Sequence, residues 1–116
     1  MAVAKGAREL TPAQREFVDH AKKRMKDIRG MEKDIRKRMK TCSLERCKMI
    51  EEWFEKVETS KSQAAVEIEM IEHADENEWA ERRQRVDMFL GETESEFETG
   101  YAILEQPDEP AHKRIW

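Results

Sequence analysis

The residues with the clearest potential for chemistry surround His73. Glu69 precedes this histidine by one helical turn and Glu76 follows it by three residues, so a helix would place an imidazole and two carboxylates on one side. Di-iron bundles use Glu-x-x-His pairs, but position 70, where the glutamate of such a pair would stand, is methionine. Because the number and spacing of ligands both fall short, the sequence predicts no metal site and no cofactor.

No nucleophile and base can be paired from sequence spacing. Three serines lie in polar or turn-like positions without a neighbouring histidine: Ser43, Ser60 and Ser62. No two glycines are closer than nine residues, so a glycine-rich phosphate loop is also missing from the sequence. We therefore expect a protein without catalytic residues, that is, not an enzyme.

The two cysteines, Cys42 and Cys47, are five residues apart in a segment whose pattern is helical. That spacing on one helix would point the thiols in different directions, too far apart for a shared metal or a local disulfide. The sequence therefore predicts two free thiols.

Composition limits the size of any core. The chain has 116 residues, of which 41% are charged and 7% aromatic, with a net charge of -4. Little apolar surface is available per residue, which disfavours a deep substrate cleft. No apolar run resembles a signal peptide or approaches the ~20 residues of a membrane span, so we expect an intracellular protein, cytoplasmic or otherwise, without a membrane span.

The distribution of proline and glycine predicts an all-α fold, because no proline lies between Pro12 and Pro107. Thr11, Pro12 and Gln14 form a helix-start signal with a capping box. Gly91 suits a helix end, and Thr93 with Glu96 resembles another capping box. The sequence predicts an elongated antiparallel helical hairpin or coiled coil over 12–106, with helices at about 12–58, 62–90 and 93–105. We expect a flexible segment at 1–11 and a mobile tail at 107–116.

Two heptad-like apolar seams run along this helical region. The first is Val18, Ala21, Met25, Ile28, Ile35, Met39, Cys42 and Met49, with Glu32 and Arg46 as polar exceptions. The second is Cys47, Ile50, Phe54, Val57, Ala64, Ile68 and Ile71, with Lys61 as its exception. The change of register near Cys47 fits either a stutter in a continuous helix or a turn. The polar segment 58–63 favours a turn there, although a continuous helix is the alternative.

Charge is segregated between the two halves, with a net of +8 over residues 1–50 and -12 over residues 51–116. Helical spacing places six basic residues in one strip: Lys22, Lys26, Arg29, Lys33, Arg36 and Lys40. Six acidic residues form a second strip: Glu51, Glu55, Glu58, Glu69, Glu72 and Glu76. The strips either pair with each other and set partner choice, or solvate two helix faces.

Large apolar groups concentrate in the acidic half and at the end of the chain. We predict that partners are bound through Trp53, Phe54, Trp79, Ile115 and Trp116. Core packing is the competing and favoured interpretation for Phe54, Trp79 and Phe89, because all three have seam-like spacing.

Two functions fit these observations. The first is a non-enzymatic structural or interaction subunit of a complex, a coiled coil or helical bundle that binds a protein partner, a second copy of itself, or both. The alternative is a protein that binds nucleic acid or another anionic surface through the basic strip of the first helix. The sequence carries no motif for reading bases, which favours the first function.

Overall fold

A computed structural model of the chain describes residues 9–106, which form three helices: α1 (Pro12–Met39), α2 (Leu44–Glu72) and α3 (Trp79–Glu105). Each helix runs antiparallel to the one before it, as a short connection requires. The helices have 27 to 29 residues and are therefore each about 42 Å long. The prediction of an elongated, all-α antiparallel fold is confirmed. The tail predicted to be mobile, 107–116, lies outside the described residues. Residues 1–8 of the predicted flexible segment 1–11 also lie outside them.

The start of α1 follows the sequence signal. The Gln14 amide donates to the Thr11 hydroxyl and the Thr11 amide donates to the Gln14 side chain, both at 3.1 Å. Pro12 occupies the first turn, where its missing N–H costs nothing. These contacts confirm the capping box at Thr11.

The first helix ends at Met39, whereas the sequence pattern extends it to about residue 58. Residues 40–43 form a turn, and the Ser43 hydroxyl accepts from the Arg46 amide at 3.2 Å to cap α2. The change of register near Cys47 therefore reflects this turn. The polar segment 58–63, which favoured a turn, lies inside α2.

The turn also changes the chemistry of the cysteines. Cys42 lies in the connection and Cys47 in the first turns of α2, so their Cα atoms are 5.9 Å apart and their sulfurs form a disulfide. The prediction of two free thiols is wrong, because it assumed that both residues belong to one continuous helix. With the helix interrupted at residues 40–43, the five-residue spacing brings the thiols together.

The second connection also differs from the predicted bounds. The α2 helix ends at Glu72, and the Asp75 carboxylate accepts from the Glu78 amide at 3.1 Å within the turn before α3. The helix α3 then continues through Gly91 and Thr93, where the sequence suggested an end and a new cap. The buried Thr93 hydroxyl donates to the Phe89 carbonyl at 2.8 Å, which satisfies it inside the helix.

The core is a single apolar column between the three helices. Its buried hydrophobic members in the helices are Val18, Ala21, Met25, Ile28, Ile35, Ile50, Trp53, Val57, Ala64, Ile68, Ile71, Val86, Leu90 and Phe97. Both seams supply this column, but their members Met39, Cys42, Cys47 and Phe54 are only half-buried and Met49 is exposed. The stripes are narrow and the outer faces are charged. Within residues 9–106, no helix combines the length and apolarity needed to cross a membrane.

Two of the polar exceptions, Glu32 of the first seam and Lys61 of the second, meet each other. The Lys61 ammonium lies 2.6 Å from a Glu32 carboxylate oxygen, and Arg36 reaches the other oxygen at 2.9 Å. Burial acts to raise the pKa of Glu32, but hydrogen bonds from Lys61 and Arg36 outweigh it and lower that pKa. A charge in each seam is therefore tolerated because the opposite charge faces it across the α1–α2 interface.

The closest approach of α2 and α3 is at Trp53 and Gly100. The Trp53 ring packs edge-on against Phe97, with 5.0 Å between ring centroids. A methyl group at position 100 would lie 2.6 Å from Cζ2 of Trp53, closer than packed carbons approach. Glycine at this position therefore lets the indole approach the α3 backbone closely.

We expect Gly100→Ala to lower the free energy of unfolding by about 1–3 kcal/mol, because the indole or α3 has to shift. Gly30 is the matched control, since it is also inside a helix and a methyl group there meets nothing within 4 Å. Gly30→Ala should raise stability by about 0.5–1 kcal/mol. Urea unfolding followed by circular dichroism measures both, and equal effects would contradict this role of Gly100.

Candidate interaction groove

An open groove runs between α2 and α3 on the side of the bundle away from α1. We call this the α2–α3 groove; its volume is about 730 Å³. Its lining combines apolar and polar groups: Met49, Glu52, Trp53, Lys56, Thr59, Ser60, Glu96, Thr99 and Ile103. From Met49 to Ser60 the groove follows twelve residues of α2, over about 17 Å, which is three helical turns.

The floor of the groove is the indole of Trp53. Its Nε1 donates to the Glu96 backbone carbonyl at 2.6 Å, and only 5% of the residue is exposed. The sequence suggested Trp53 as an exposed partner anchor, but most of its ring belongs to the core. A side chain that enters the groove contacts only a small part of this ring.

Two other predicted partner anchors, Phe54 and Trp79, do not line the groove. Phe54 is half-buried beneath the Arg36 guanidinium, 4.3 Å from its ring centroid, and Trp79 packs edge-on against Phe17 at 6.2 Å. The competing interpretation, core packing, therefore describes Phe54 and Trp79 better than exposure to a partner. Ile115 and Trp116 lie outside the described residues.

The Glu96 carboxylate gives the groove an unsatisfied polar atom. Its Oε1 is buried and has no hydrogen-bond partner among the described residues. A buried oxygen without a donor costs about 1–3 kcal/mol, and a cationic or N–H donor entering the groove would recover it. The sequence pattern suggested that Glu96 forms a capping box with Thr93. It gave no sign that an oxygen of Glu96 is buried without a hydrogen-bond donor.

One end of the groove lies at the end of the described chain. Ile103 lines this end, and the Arg46 guanidinium from the start of α2 donates to the Gln106 carbonyl. Beside it, Met49 is 41% exposed and Leu44 is 82% exposed. The groove is therefore open to apolar contacts where α2 begins and α3 ends.

The basic and acidic strips meet at one point. The Lys22 ammonium lies 2.6 Å from a Glu72 carboxylate oxygen across α1 and α2. Arg36 and Glu58 instead pair within their own helices, with Glu32 and Lys61 respectively. Seven members of the strips form no ion pair with another described residue: Lys26, Arg29, Lys33, Lys40, Glu51, Glu55 and Glu69. Glu76, the remaining member, lies exposed in the connection between α2 and α3.

The unpaired part of the basic strip forms a line along the exposed face of α1. We call it the α1 stripe, and with Lys37, which the sequence strip omitted, it comprises Lys26, Arg29, Lys33, Lys37 and Lys40. The residues recur at steps of three and four and cover about 21 Å. The neighbouring acids pair beside the stripe, Asp27 with Lys23 at 3.8 Å and Asp34 with Arg38 at 3.4 Å.

Two further ion pairs fix α3 in the bundle. Arg24 of α1 makes a bidentate contact with Glu94 at 2.7 and 2.8 Å, and hydrogen bonds from this guanidinium lower the pKa of Glu94. Glu67 of α2 is fully buried and accepts two hydrogen bonds from Arg85, each 3.2 Å long. Hydrogen bonds from Arg85 lower the pKa of Glu67 against the opposing effect of burial.

The residues around His73 separate at a helix end. Glu69 is in α2, whereas His73 and Glu76 belong to the exposed connection after it. Within residues 9–106, no three or more histidine, cysteine or acidic side chains are grouped as metal ligands would be.

No protein-family model, curated protein or solved structure matches this chain.

We expect Glu67→Gln to lower the free energy of unfolding at pH 7 by about 1–3 kcal/mol, because the buried group loses its charge-assisted hydrogen bonds. The pKa of Glu67 is lowered in the folded chain. Its contribution is therefore present above the ordinary glutamate pKa of about 4.3 and is lost as pH falls through the lower folded value. Melting temperatures between pH 7 and pH 3 measure both effects.

Glu98→Gln is the matched control, since Glu98 is exposed and forms no ion pair with a described residue. The control should follow the natural chain at every pH. The fall in melting temperature between pH 7 and pH 3 should be smaller in Glu67→Gln than in the natural chain or in Glu98→Gln. An unchanged pH dependence in Glu67→Gln would show that Arg85 does not stabilise the charged carboxylate.

Proposed function

We propose that this chain is a non-enzymatic helical interaction subunit that binds a helical segment of another protein in the α2–α3 groove. The observation that carries the proposal is the groove itself, in which an apolar floor adjoins the buried, unpartnered Oε1 of Glu96. Two antiparallel helices with an open apolar groove can accept a further helix, as in a four-helix bundle.

The lining suggests the chemistry of the partner. Met49, the edge of Trp53 and Ile103 offer an apolar line about three turns long, which suits anchors spaced by three and four residues. Glu52 and Glu96 place two carboxylates in the groove against the single ammonium of Lys56. We therefore expect an amphipathic partner helix with a lysine or arginine beside its apolar anchors.

A photo-crosslinking residue at Thr99, inside the groove, identifies the partner and the contact together. The same residue at Glu98, which is exposed on α3 but does not line the groove, is the control. We expect one protein to be crosslinked from Thr99 and not from Glu98, and the crosslinked peptide to be amphipathic. A crosslink to a second copy of this chain would assign the groove to self-association.

Affinity measurements on the purified partner segment then test the groove quantitatively. Met49→Lys should weaken binding at least tenfold, about 1.4 kcal/mol, because an ammonium replaces an apolar contact in the groove. Met88→Lys is the matched control, since Met88 is 50% exposed, against 41% for Met49, and lies outside the groove. Equal affinities of the two variants in calorimetry would refute binding in this groove.

The second function, binding to nucleic acid or another anionic surface, is favoured by the α1 stripe. Its five exposed cations form no ion pair with a described residue, so they are available to phosphates. They contact no aromatic ring of the described chain, and nothing on this face could read bases. The stripe therefore supports only a backbone contact without sequence preference.

We expect no measurable binding to duplex DNA near 0.15 M salt, because five phosphate contacts give only weak non-specific affinity and the chain carries a net charge of -4. If the stripe does bind phosphates, affinity should fall about a hundredfold between about 50 and 150 mM salt. Lys26→Glu with Lys33→Glu should then abolish binding, while Lys48→Glu, off the stripe, should change it little. Fluorescence anisotropy with a labelled duplex measures these affinities. Tight binding near 0.15 M salt would favour this second function.

A further inference from the structure

We propose that residues 107–116 of this chain occupy the α2–α3 groove in the absence of a partner and compete with the partner for it. This inference rests on the proposed function of the groove and adds its regulation. The occupant is the segment Pro107 to Trp116, which contains Lys113, Arg114, Ile115 and Trp116.

The position of Gln106 makes the groove accessible to this segment. Gln106 leaves α3 with extended backbone angles at the end of the groove lined by Ile103, and Arg46 binds its carbonyl there. Glu96 lies ten residues back along α3, or about 15 Å. The seven residues 107–113 span up to about 23 Å when extended, which is enough to reverse direction and reach it.

The order of charges in the segment matches the order of charges along the groove. Asp108 and Glu109 come first, beside Arg46 and the amino end of α2, where the helix dipole favours anions. Lys113 and Arg114 come next in the segment, and Glu52 and Glu96 are the carboxylates that line the groove. A cation there supplies the donor that the buried Oε1 of Glu96 lacks.

The apolar end of the segment completes the match. Ile115 and Trp116 follow the two cations directly, and the groove continues past Glu52 along Lys56, Thr59 and Ser60 beside the edge of Trp53. A further aromatic ring can pack against the exposed part of the indole, which already contacts Phe97 and Phe54. Charge and apolar contacts thus favour the same placement of the segment.

The full chain contains its own reporters for this contact. The Trp53 indole N–H points at the Glu96 carbonyl on the groove floor, while Trp79 packs on Phe17 away from the groove. In proton–nitrogen NMR spectra, the full chain with Lys113→Glu and Arg114→Glu should show a shifted Trp53 indole signal. The Trp79 signal should stay in place, which also verifies that the bundle remains folded.

Substitutions in the groove give an independent test. Glu52→Lys should shift the Trp53 signal in the same direction, and adding Lys113→Glu to it should partly restore the original position. Glu51→Lys is the matched control, because Glu51 is the adjacent exposed glutamate outside the groove. The inference is overturned if the Trp53 signal shifts neither with Lys113→Glu and Arg114→Glu nor with Glu52→Lys. It is also overturned if Glu51→Lys produces the same shift.

Dilution distinguishes the chain's own segment from that of a second copy. Occupancy within one chain is independent of protein concentration, so a Trp53 shift that disappears on dilution would assign the contact to another copy and overturn the inference. A tethered segment acts at an effective concentration of about 1 mM. If the free segment has a Kd of about 0.1 mM, the reversal at Lys113 and Arg114 should strengthen partner binding about tenfold.

Failure of this inference is distinguishable from failure of the proposed function. If Met49→Lys weakens partner binding but the Trp53 signal does not change with Lys113→Glu and Arg114→Glu, the groove binds the partner and the competition is absent. If the Trp53 signal responds to the segment but the partner ignores Met49, the segment docks in the groove and the partner binds elsewhere.

Discussion

The contact between Trp53 and Gly100 determines how α2 and α3 lie together. Without a side chain at Gly100, the indole packs directly on the α3 backbone, and its N–H reaches the Glu96 carbonyl one turn away. The largest ring of the core is thereby fixed at the boundary between the interior and the groove. The groove lies beside this ring, of which only 5% remains exposed.

Narrow apolar stripes impose a second constraint. Each helix buries one stripe, so a charged residue within a stripe needs its counter-ion on a neighbouring helix. Glu32 of α1 forms an ion pair with Lys61 of α2, and buried Glu67 of α2 forms one with Arg85 of α3. These pairs contribute to choosing the neighbours and their register, since sliding either helix by one turn would leave a buried charge without a partner.

The sequence predicted what depends on local spacing. The capping box at Thr11 and most of the buried stripes follow from patterns within a few residues of one another. The helix bounds were less predictable, because Ser43 caps α2 without a matching glutamate three residues later, while the apparent box at Thr93 and Glu96 lies inside a helix. A serine or threonine signals a cap only where the helix is also interrupted, and tertiary packing decides that.

The groove itself could not be read from the sequence. Its members belong to two helices, and neither the unpartnered oxygen of Glu96 nor the edge of Trp53 has a signature in either helix alone. The disulfide was missed for a related reason, since Cys42 and Cys47 approach only after the helix between them is interrupted. In contrast, the α1 stripe lies on one helix, and the spacing of its basic residues predicted every member except Lys37.

An odd number of helices has a geometric consequence for whatever adjoins the bundle. Because α1 and α3 run in the same direction, residue 9 and residue 106 leave at opposite ends. The axis between those ends is about 40 Å long, and side-by-side packing of three rods resists bending along it. The two ends of the described chain are therefore held apart by the length of the bundle, whereas the two ends of a two-helix hairpin lie close together.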